Sequence, residues 1–212
     1  MNEKIRELDS DQPVELWLFR HGETLFNVKN LIQGWCDSPL TPKGIQMTKS
    51  VGQKLEKLGV KFDAAFSSDL TRCLETAQIL LDCLDSDISV LPDRRLREIN
   101  TGDCEGDLVS EHLKKYPLSF NIKKYTGVPN GEKWNEAIER IVACLTEIGE
   151  HYSHTGGSIM VVSHSMVIAA VKSYLNHAEE FKPVPHNSVT VFEYYKGELK
   201  LKLFQEELRY GA

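Results

Sequence analysis

The sequence predicts an α/β fold: a three-layer α/β/α sandwich with a mainly parallel sheet, an antiparallel edge hairpin and an insertion over the site. Short apolar runs alternate along the chain with longer segments whose apolar residues recur at helical spacing, which is typical of strands joined by helices. Near the carboxyl end, residues 189–195 and 198–204 flank Lys196-Gly197, which predicts the hairpin. Because 212 residues suit one domain and no linker interrupts them, residues 1–212 are predicted to form a single domain.

The apolar runs and the helical patterns place the elements in order. The predicted strands before the hairpin are residues 14–20, 63–67, 88–91 and 158–163. The predicted helices follow Thr41, follow Ser68, and cover residues 107–116, 131–150 and 166–175. Residues 1–12 are polar and predict a flexible lead-in, and residues 92–130, which are irregular and rich in turns, predict an insertion that covers the substrate.

The helix boundaries come from capping residues. Thr41-Pro42 is typical of an N-cap followed by proline at the first helical position, and Gly59 predicts the end of that helix. Leu58 is expected on its apolar face. Ser68 is expected to cap the next helix, which carries a nearly continuous apolar stripe.

Composition excludes several classes of protein. The net charge of -6 argues against nucleic acid as a general partner. No apolar run approaches the ~20 residues that a membrane-spanning helix needs. The five cysteines form no C-x-x-C pair, so reduced thiols in a cytoplasmic protein are expected instead of disulfides or a zinc site.

Basic and histidine residues follow the ends of two predicted strands. Arg20 and His21 end the first strand, and His164 follows the strand 158–163. Because ligands of such folds bind at the carboxyl ends of strands, we expect these side chains to lie together, with Arg72 at a helix start nearby. Two arginines and two histidines suit a phosphoryl group, whose oxygens need several donors at once. A solvated Arg-His pair that merely ends a strand is the alternative.

Six segments, in order along the chain, resemble the motifs of the histidine phosphatase superfamily, the phosphoglycerate mutase-like proteins. They are residues 18–27 (LFRHGETLFN), 32–44 (IQGWCDSPLTPKG), 66–77 (FSSDLTRCLETA), 96–106 (LREINTGDCEG), 161–164 (VVSH) and 187–190 (NSVT). The resemblance covers roughly residues 14–195. On this basis the chain is identified as a member of the phosphatase-type branch of that family.

The resemblance implies a role for each matching residue of the catalytic centre. His21 is the expected nucleophile, which becomes phosphorylated, and Glu98 is the expected proton donor to the leaving group. Arg20, Arg72 and His164 are expected to hold the phosphoryl oxygens. The resemblance implies neither a metal nor a cofactor, because these side chains would balance the charge of the phosphoryl group in place of a metal ion.

The resemblance also implies residues that border the substrate. Asn27 is expected to assist in the pocket, Gln33 and Gly34 to approach the body of the substrate, and Asn187 to border the site. Ser165 stands where the family usually has glycine, and its backbone N–H is expected to serve phosphate binding. Cys104 replaces a common tryptophan, so a change in substrate specificity is expected there.

Three functions fit these residues. The first is a phosphatase that hydrolyses small phosphate monoesters, and the second is a mutase that moves phosphate between hydroxyls of phosphoglycerate. The third is a catalytically silent regulatory protein, which the complete set of catalytic residues disfavours. The short chain, Gln33-Gly34 and the Gly-Asp-x-Glu-Gly loop favour the phosphatase. The expected partner is a small phosphorylated metabolite, a homo-oligomer is left open, and the metabolite itself is not identified by the sequence.

Overall fold

The computed structural model describes residues 11–186 and 188–205. Most of the predicted lead-in, and Asn187, therefore lie outside the described residues. The strands are β1 (Val14–Arg20), β2 (Ala64–Ser67), β3 (Val90–Pro92), β4 (Gly157–Ser163), β5 (Val189–Tyr195) and β6 (Glu198–Gln205). The α-helices are α1 (Leu25–Val28), α2 (Pro42–Lys57), α3 (Thr71–Cys83), α4 (Val109–Lys115), α5 (Trp134–Tyr152) and α6 (Ser165–Leu175).

The six strands form one sheet in the order β3-β2-β4-β1-β5-β6. The pairs β3-β2, β2-β4 and β4-β1 are parallel, whereas β1-β5 and β5-β6 are antiparallel. This confirms the predicted mainly parallel sheet with an antiparallel hairpin at its edge. The strands β1 and β4 lie in the centre, where both faces are covered, and this explains their continuous apolar runs.

Two layers of helices cover the two faces of the sheet. Successive side chains of a strand point to opposite faces, so Ile159 and Val161 pack with α5 and α6, while Met160 and Val162 pack with α2 and α3. All four side chains are fully buried. The result is the predicted three-layer α/β/α sandwich. No helix within the described residues is long and apolar enough to cross a bilayer.

The predicted helix boundaries are partly confirmed. Thr41 caps α2, because its hydroxyl accepts a hydrogen bond from the Gly44 N–H over 2.8 Å. The helix ends just before Gly59, whose φ of +67° suits a residue without a Cβ. The prediction for Leu58 was wrong: it is 69% exposed, since it is the carboxyl-terminal cap and lies beyond the last residue of α2.

The prediction that Ser68 caps α3 was also wrong. The helix begins at Thr71, with Leu70 as its N-cap and no side-chain hydrogen bond at that end. The Ser68 hydroxyl lies 2.9 Å from Nε2 of His164 instead. A buried serine therefore serves the site and not the helix.

The segment 92–130 runs across the carboxyl ends of the strands. It contains short 3₁₀ turns at Arg94–Leu96 and Gly102–Cys104 and the short helix α4, close to the predicted 107–116. The remainder is irregular, as the turn-rich sequence predicts. Nine of its residues line a cavity beside His21.

Candidate active site

The parallel pairing of β1 with β4 brings the two motif histidines together. Arg20 pairs in register with Ser163, so the residue after each strand lies at the same edge of the sheet. The His21 N–H donates to the Ser163 carbonyl over 3.0 Å, and the ring centroids of His21 and His164 are 5.3 Å apart.

The hydrogen bond of the His21 ring fixes its tautomer. Nδ1 lies 2.8 Å from the carbonyl oxygen of Gly22, which only accepts, so Nδ1 carries the proton and Nε2 the lone pair. Burial, and then the charges of Arg72 and Arg20, lower the pKa of His21 well below its ordinary value. At neutral pH the ring is therefore an uncharged nucleophile with Nε2 available.

His164 is held as a neutral ring by partners on both nitrogens. Nη2 of Arg72 lies 3.1 Å from Nδ1 and only donates, so Nδ1 accepts. Nε2 then carries the proton and donates to Oγ of Ser68 over 2.9 Å. Burial, followed by the charge of Arg72, lowers the pKa of His164 well below its ordinary value. The positive charge of this site thus resides on the arginines.

Arg72 is completely buried beneath the first loop, the segment 21–41 that joins β1 to α2. Its Nη1 donates to the Cys36 carbonyl over 2.8 Å and to Oδ1 of Asp37 over 3.0 Å. Its Nη2 donates to the Gly34 carbonyl over 2.7 Å as well as to His164. Its Nε has no hydrogen-bond partner among the described residues. The guanidinium joins the first loop to the second histidine and retains one donor for a ligand.

Arg20 reaches the same region from the end of β1. Its Nη1 donates to the Val184 carbonyl over 2.8 Å, and its buried Nε has no partner among the described residues. Burial lowers its pKa to about 10, which leaves the guanidinium charged at neutral pH. The Ser165 hydroxyl donates to the same Val184 carbonyl over 2.7 Å, so one loop oxygen orients both side chains.

Glu98 is buried against the start of α6. Its Oε1 accepts from the N–H groups of Ile99 and Val167, and its Oε2 accepts from that of Met166, all within 3.1 Å. Burial raises the pKa of Glu98, while the N–H groups of Ile99 and Met166 and the charges of Arg72 and Arg20 act against the rise. Because Oε2 accepts one N–H bond and Oε1 two, Oε2 retains a lone pair that can carry a proton.

A half-buried arginine of α5, Arg140, holds the backbone that carries Glu98. Arg140 donates to the carbonyls of Arg95, Arg97 and Glu98, each over 2.7 Å. It also forms a two-pronged ion pair with Glu132 at 2.8 Å. The backbone of Glu98 is therefore held by α5, the helix that follows the insertion in the chain.

The first loop arranges two amide side chains at the site. The capping box of α1 engages Asn27, whose Oδ1 accepts from the Thr24 N–H over 3.1 Å, so its NH₂ group is available as a donor. Oε1 of Gln33 accepts from the Thr24 hydroxyl over 2.7 Å. Its buried Nε2 has no partner among the described residues.

Gly34 lies behind the site wall. Its N–H donates to Glu105 over 3.0 Å, and a Cβ there would come within 2.5 Å of Oε1 of Glu105 and of the Ile99 carbonyl. Glu105 also accepts from the Trp35 N–H, and its pKa is lowered although burial acts to raise it. Cys104 is buried in the core and is absent from the cavity lining. Gly34 and Glu105 therefore stabilise the loop, and neither they nor Cys104 line the cavity.

A cavity of about 220 Å³ opens beside His21. Six of the sequence-predicted site residues line it: Arg20, His21, Asn27, Gln33, Glu98 and Ser165. Arg72 and His164 are fully buried and are not among the lining residues, and Asn187 lies outside the described residues. No group of three or more His, Cys, Asp or Glu residues in the described part of the chain is arranged to hold a metal ion.

Sequence reasoning missed four residues that arrange the site. Ser68 orients His164, Asp37 pairs with Arg72, and Arg140 supports Glu98. His186 lies in the connection between α6 and β5, with Nδ1 3.4 Å from the His21 carbonyl. Ser68 follows the end of β2, so the strand-end rule that indicated the histidines would have indicated it too. No pattern in the sequence indicates Asp37 or Arg140, because their contacts with Arg72 and Glu98 join residues far apart in the chain.

A sequence profile of the histidine phosphatase superfamily (branch 1) matches residues 16–207. The chain belongs to this superfamily. Two relatives illustrate the range of activities that its members carry. A 2,3-bisphosphoglycerate-dependent phosphoglycerate mutase of Mesorhizobium japonicum is 32% identical, over 74% of this chain and 78% of the relative. A broad-specificity phosphatase of Saccharomyces cerevisiae is 30% identical, over 89% of this chain and 83% of the relative.

The histidine phosphatase fold is also found in solved structures similar to this chain. The crystal structure of a phosphoglycerate mutase from Bacillus anthracis matches with a TM-score of 0.84 and 29% identity. The match covers 93% of this chain and 94% of that one. Membership of the superfamily therefore establishes a phosphatase or phosphoglycerate mutase type of enzyme, and the choice between them rests on the site.

Proposed function

We propose that this protein is a phosphatase that hydrolyses small phosphate monoesters through a phosphohistidine on His21. The observation that carries the proposal is the pairing of an uncharged His21, with Nε2 unprotonated, and a buried Glu98 whose pKa is raised. His21 offers the lone pair of Nε2 for attack on phosphorus, and burial of Glu98 favours the protonated form that would donate to the leaving oxygen. The expected substrate is a small phosphorylated metabolite.

In the first step, Nε2 of His21 attacks phosphorus and the bond from phosphorus to the ester oxygen breaks. Glu98 gives its proton to that oxygen, so the organic product leaves as an alcohol and not as an alkoxide. The Nδ1–H of His21 continues to donate to the Gly22 carbonyl and stabilises the ring as it becomes phosphorylated. The Nε groups of Arg20 and Arg72, which lack partners among the described residues, suit the phosphoryl oxygens.

In the second step, water attacks the phosphoryl group from the side that the alcohol has left. Glu98, now ionised, takes one proton from that water, and the bond from phosphorus to Nε2 breaks. Inorganic phosphate leaves, and His21 and Glu98 return to their starting protonation states. The same arginines serve both steps, because each is an in-line displacement at the same phosphorus.

The alternative, a phosphoglycerate mutase, is favoured by the similarity to the mutase of M. japonicum. The residues that line the cavity favour hydrolysis. A mutase must bind an intermediate with two phosphates and a carboxylate, which requires cations at both ends. Arg20 is the only lysine or arginine among the described residues of the lining. A second anionic group would therefore lose its hydration without gaining a charged partner.

The test is a panel of phosphate monoesters with two measurements on each, namely free phosphate and isomerised ester. We expect phosphate release from several esters, with no stimulation by 2,3-bisphosphoglycerate. His21→Ala should abolish release while the circular dichroism spectrum stays that of the parent. Efficient interconversion of 2- and 3-phosphoglycerate, primed by the bisphosphate and with little free phosphate, would support the mutase instead.

A further inference from the structure

The cavity beside His21 has a polar end and a much larger apolar wall. Arg20, His21 and Glu98 define the polar end, where the proposed function places the phosphate. Much of the remaining wall is apolar or aromatic, including Ile99, Phe120, Tyr125, Trp134 and Met166. Apolar walls of this kind bind the uncharged carbon skeleton of a ligand by removing it from water.

Besides Nε of Arg20 and Nε2 of Gln33, a third buried nitrogen of the cavity lining lacks a hydrogen-bond partner among the described residues. His112, on α4, lines the cavity and is 6% exposed, and its Nδ1 has no hydrogen-bond partner among the described residues. An unsatisfied buried nitrogen is costly, so such groups are normally paired with protein, water or ligand. The nitrogen is thus a candidate contact for a bound substrate.

The hydrogen bonds around His112 determine what Nδ1 can do. The Ser119 hydroxyl donates to the Tyr116 carbonyl over 2.6 Å, so its proton is committed. Ser119 Oγ, 3.1 Å from Nε2 of His112, must therefore accept from that nitrogen. Nε2 carries the ring proton, and Nδ1 is left with a bare lone pair. Burial lowers the pKa of His112, which keeps the ring neutral near pH 7.

From this arrangement we infer that the organic group of the substrate is uncharged and largely apolar, and that it bears a hydroxyl or N–H which donates to Nδ1 of His112. The inference deepens the proposed function and rests on it. His112 is assigned as a specificity residue for the alcohol portion and has no part in phosphoryl transfer. Ser119 is a positioning residue, since it acts by fixing the tautomer of His112.

The experiment compares three esters of similar length: pentyl phosphate, 5-hydroxypentyl phosphate and 4-carboxybutyl phosphate. For the parent enzyme, we expect kcat/KM to be about tenfold higher for the hydroxyl ester than for the pentyl ester, because one buried acceptor gains its donor. The carboxylate ester should be the poorest of the three, since its second charge meets apolar walls and an acceptor nitrogen.

Three variants test the role of His112 through the ratio of kcat/KM for the hydroxyl and pentyl esters. His112→Phe removes the acceptor and should reduce the ratio to about one. His112→Asn keeps an oxygen acceptor near the place of Nδ1 and should retain part of the ratio. Ser119→Ala removes the acceptor for Nε2–H of His112, so the ring proton can move to Nδ1. This variant should therefore lower the ratio although the imidazole remains. Thermal melting and circular dichroism confirm that each variant is folded.

The outcomes separate this inference from the proposed function. A parent enzyme that prefers the carboxylate ester, or a hydroxyl preference that survives in both His112→Phe and Ser119→Ala, would overturn the inference while phosphatase activity stands. If His112→Phe fails to fold, the inference is tested by the ratio of kcat/KM for the hydroxyl and pentyl esters in the parent and by its fall in Ser119→Ala. Failure to release phosphate from all three esters and from p-nitrophenyl phosphate would instead refute the proposed function.

Discussion

Nη2 of Arg72 donates a hydrogen bond to Nδ1 of His164 over 3.1 Å, at the buried floor of the site. Because an arginine cannot accept, this contact requires an unprotonated Nδ1 and keeps His164 neutral. The same guanidinium donates to the carbonyls of Gly34 and Cys36. A single side chain therefore fixes the tautomer of one histidine, the path of the first loop and the charge under the phosphoryl site.

Arg72→Lys is expected to lower kcat/KM by about 10²–10³, since it retains a charge but cannot place several donors at once. The measurement is kcat/KM for p-nitrophenyl phosphate, together with the melting temperature. The matched control is Arg94→Lys at an exposed arginine, which should change activity little. A variant Arg72→Lys with nearly parental kcat/KM would contradict the role given to the guanidinium.

His186 is expected to make stability depend on pH. Burial lowers its pKa to about 4, whereas the unfolded chain titrates near 6.5, so only the unfolded state takes up this proton between those values. Its contribution to stability is complete above about pH 6.5 and is lost as the pH falls toward 4. His186→Asn should reduce the slope of unfolding free energy against pH by up to about 1.4 kcal/mol per unit in that window.

Urea unfolding at several pH values between 4.5 and 7.5 measures that slope. His154→Asn, a substitution at an exposed histidine, is the matched control. Equal slopes for the parent and His186→Asn would mean that His186 titrates alike in the folded and unfolded states.

Periodicity and strand ends predicted much of this molecule. The sheet follows from apolar runs, and the pairing of β1 with β4 then places His21 beside His164 without further information. The position of Ser68 just after β2 places it at the edge of the site, but a serine there suits either a helix cap or a histidine partner. Its choice depends on where β4 delivers His164, which local sequence does not specify.

Long-range contacts explain the other differences. Arg72 lies off the apolar stripe of α3, yet it is fully buried, because the first loop folds over it and supplies acceptors. Cys104 replaces a residue expected at the pocket but packs in the core. His112 has no motif around it, and only the folded insertion places it in the cavity wall. Local pattern predicts elements, whereas the contacts of loops arise from the complete fold.

Glu98→Gln should show a loss of activity that depends on the leaving group. For an alkyl phosphate we expect kcat to fall by about 10²–10⁴, the usual contribution of a general acid. For p-nitrophenyl phosphate, whose leaving group hardly needs a proton, formation of the phosphoenzyme should be much less affected. Single-turnover kinetics on both substrates, followed by rapid quench, measure this difference.

Glu105→Gln is the matched control for that experiment. Its carboxylate has a lowered pKa and holds the N–H groups of Gly34 and Trp35, so it has no proton to give near neutral pH. We expect any loss in this variant to be similar for the two substrates. A leaving-group effect at Glu105 and none at Glu98 would reverse the assignment of the acid.

Arg140→Leu should destabilise the fold and remove a hydrogen bond that holds the backbone of Glu98. It leaves three backbone carbonyls and Glu132 without their charged donor, at a cost on the order of 3 kcal/mol in unfolding free energy. Arg95→Leu is the control, because that arginine pairs with Asp93 and Glu147 near the surface and should cost below about 1 kcal/mol. Urea unfolding measures the loss of unfolding free energy in both variants. Equal losses would contradict the role of Arg140 in holding the backbone around Glu98.

Phosphorylation of His21 during turnover is the step on which the proposed mechanism depends. The most direct measurement is rapid quench of Glu98→Gln with p-nitrophenyl phosphate under alkaline conditions, where phosphohistidine survives, followed by mass spectrometric mapping of the peptides. We predict a phosphoryl group on the peptide that contains His21, acid-labile and approaching one per chain, because hydrolysis of the intermediate needs the missing base. Release of p-nitrophenol with no phosphorylated peptide, or with phosphate on another residue, would contradict the account.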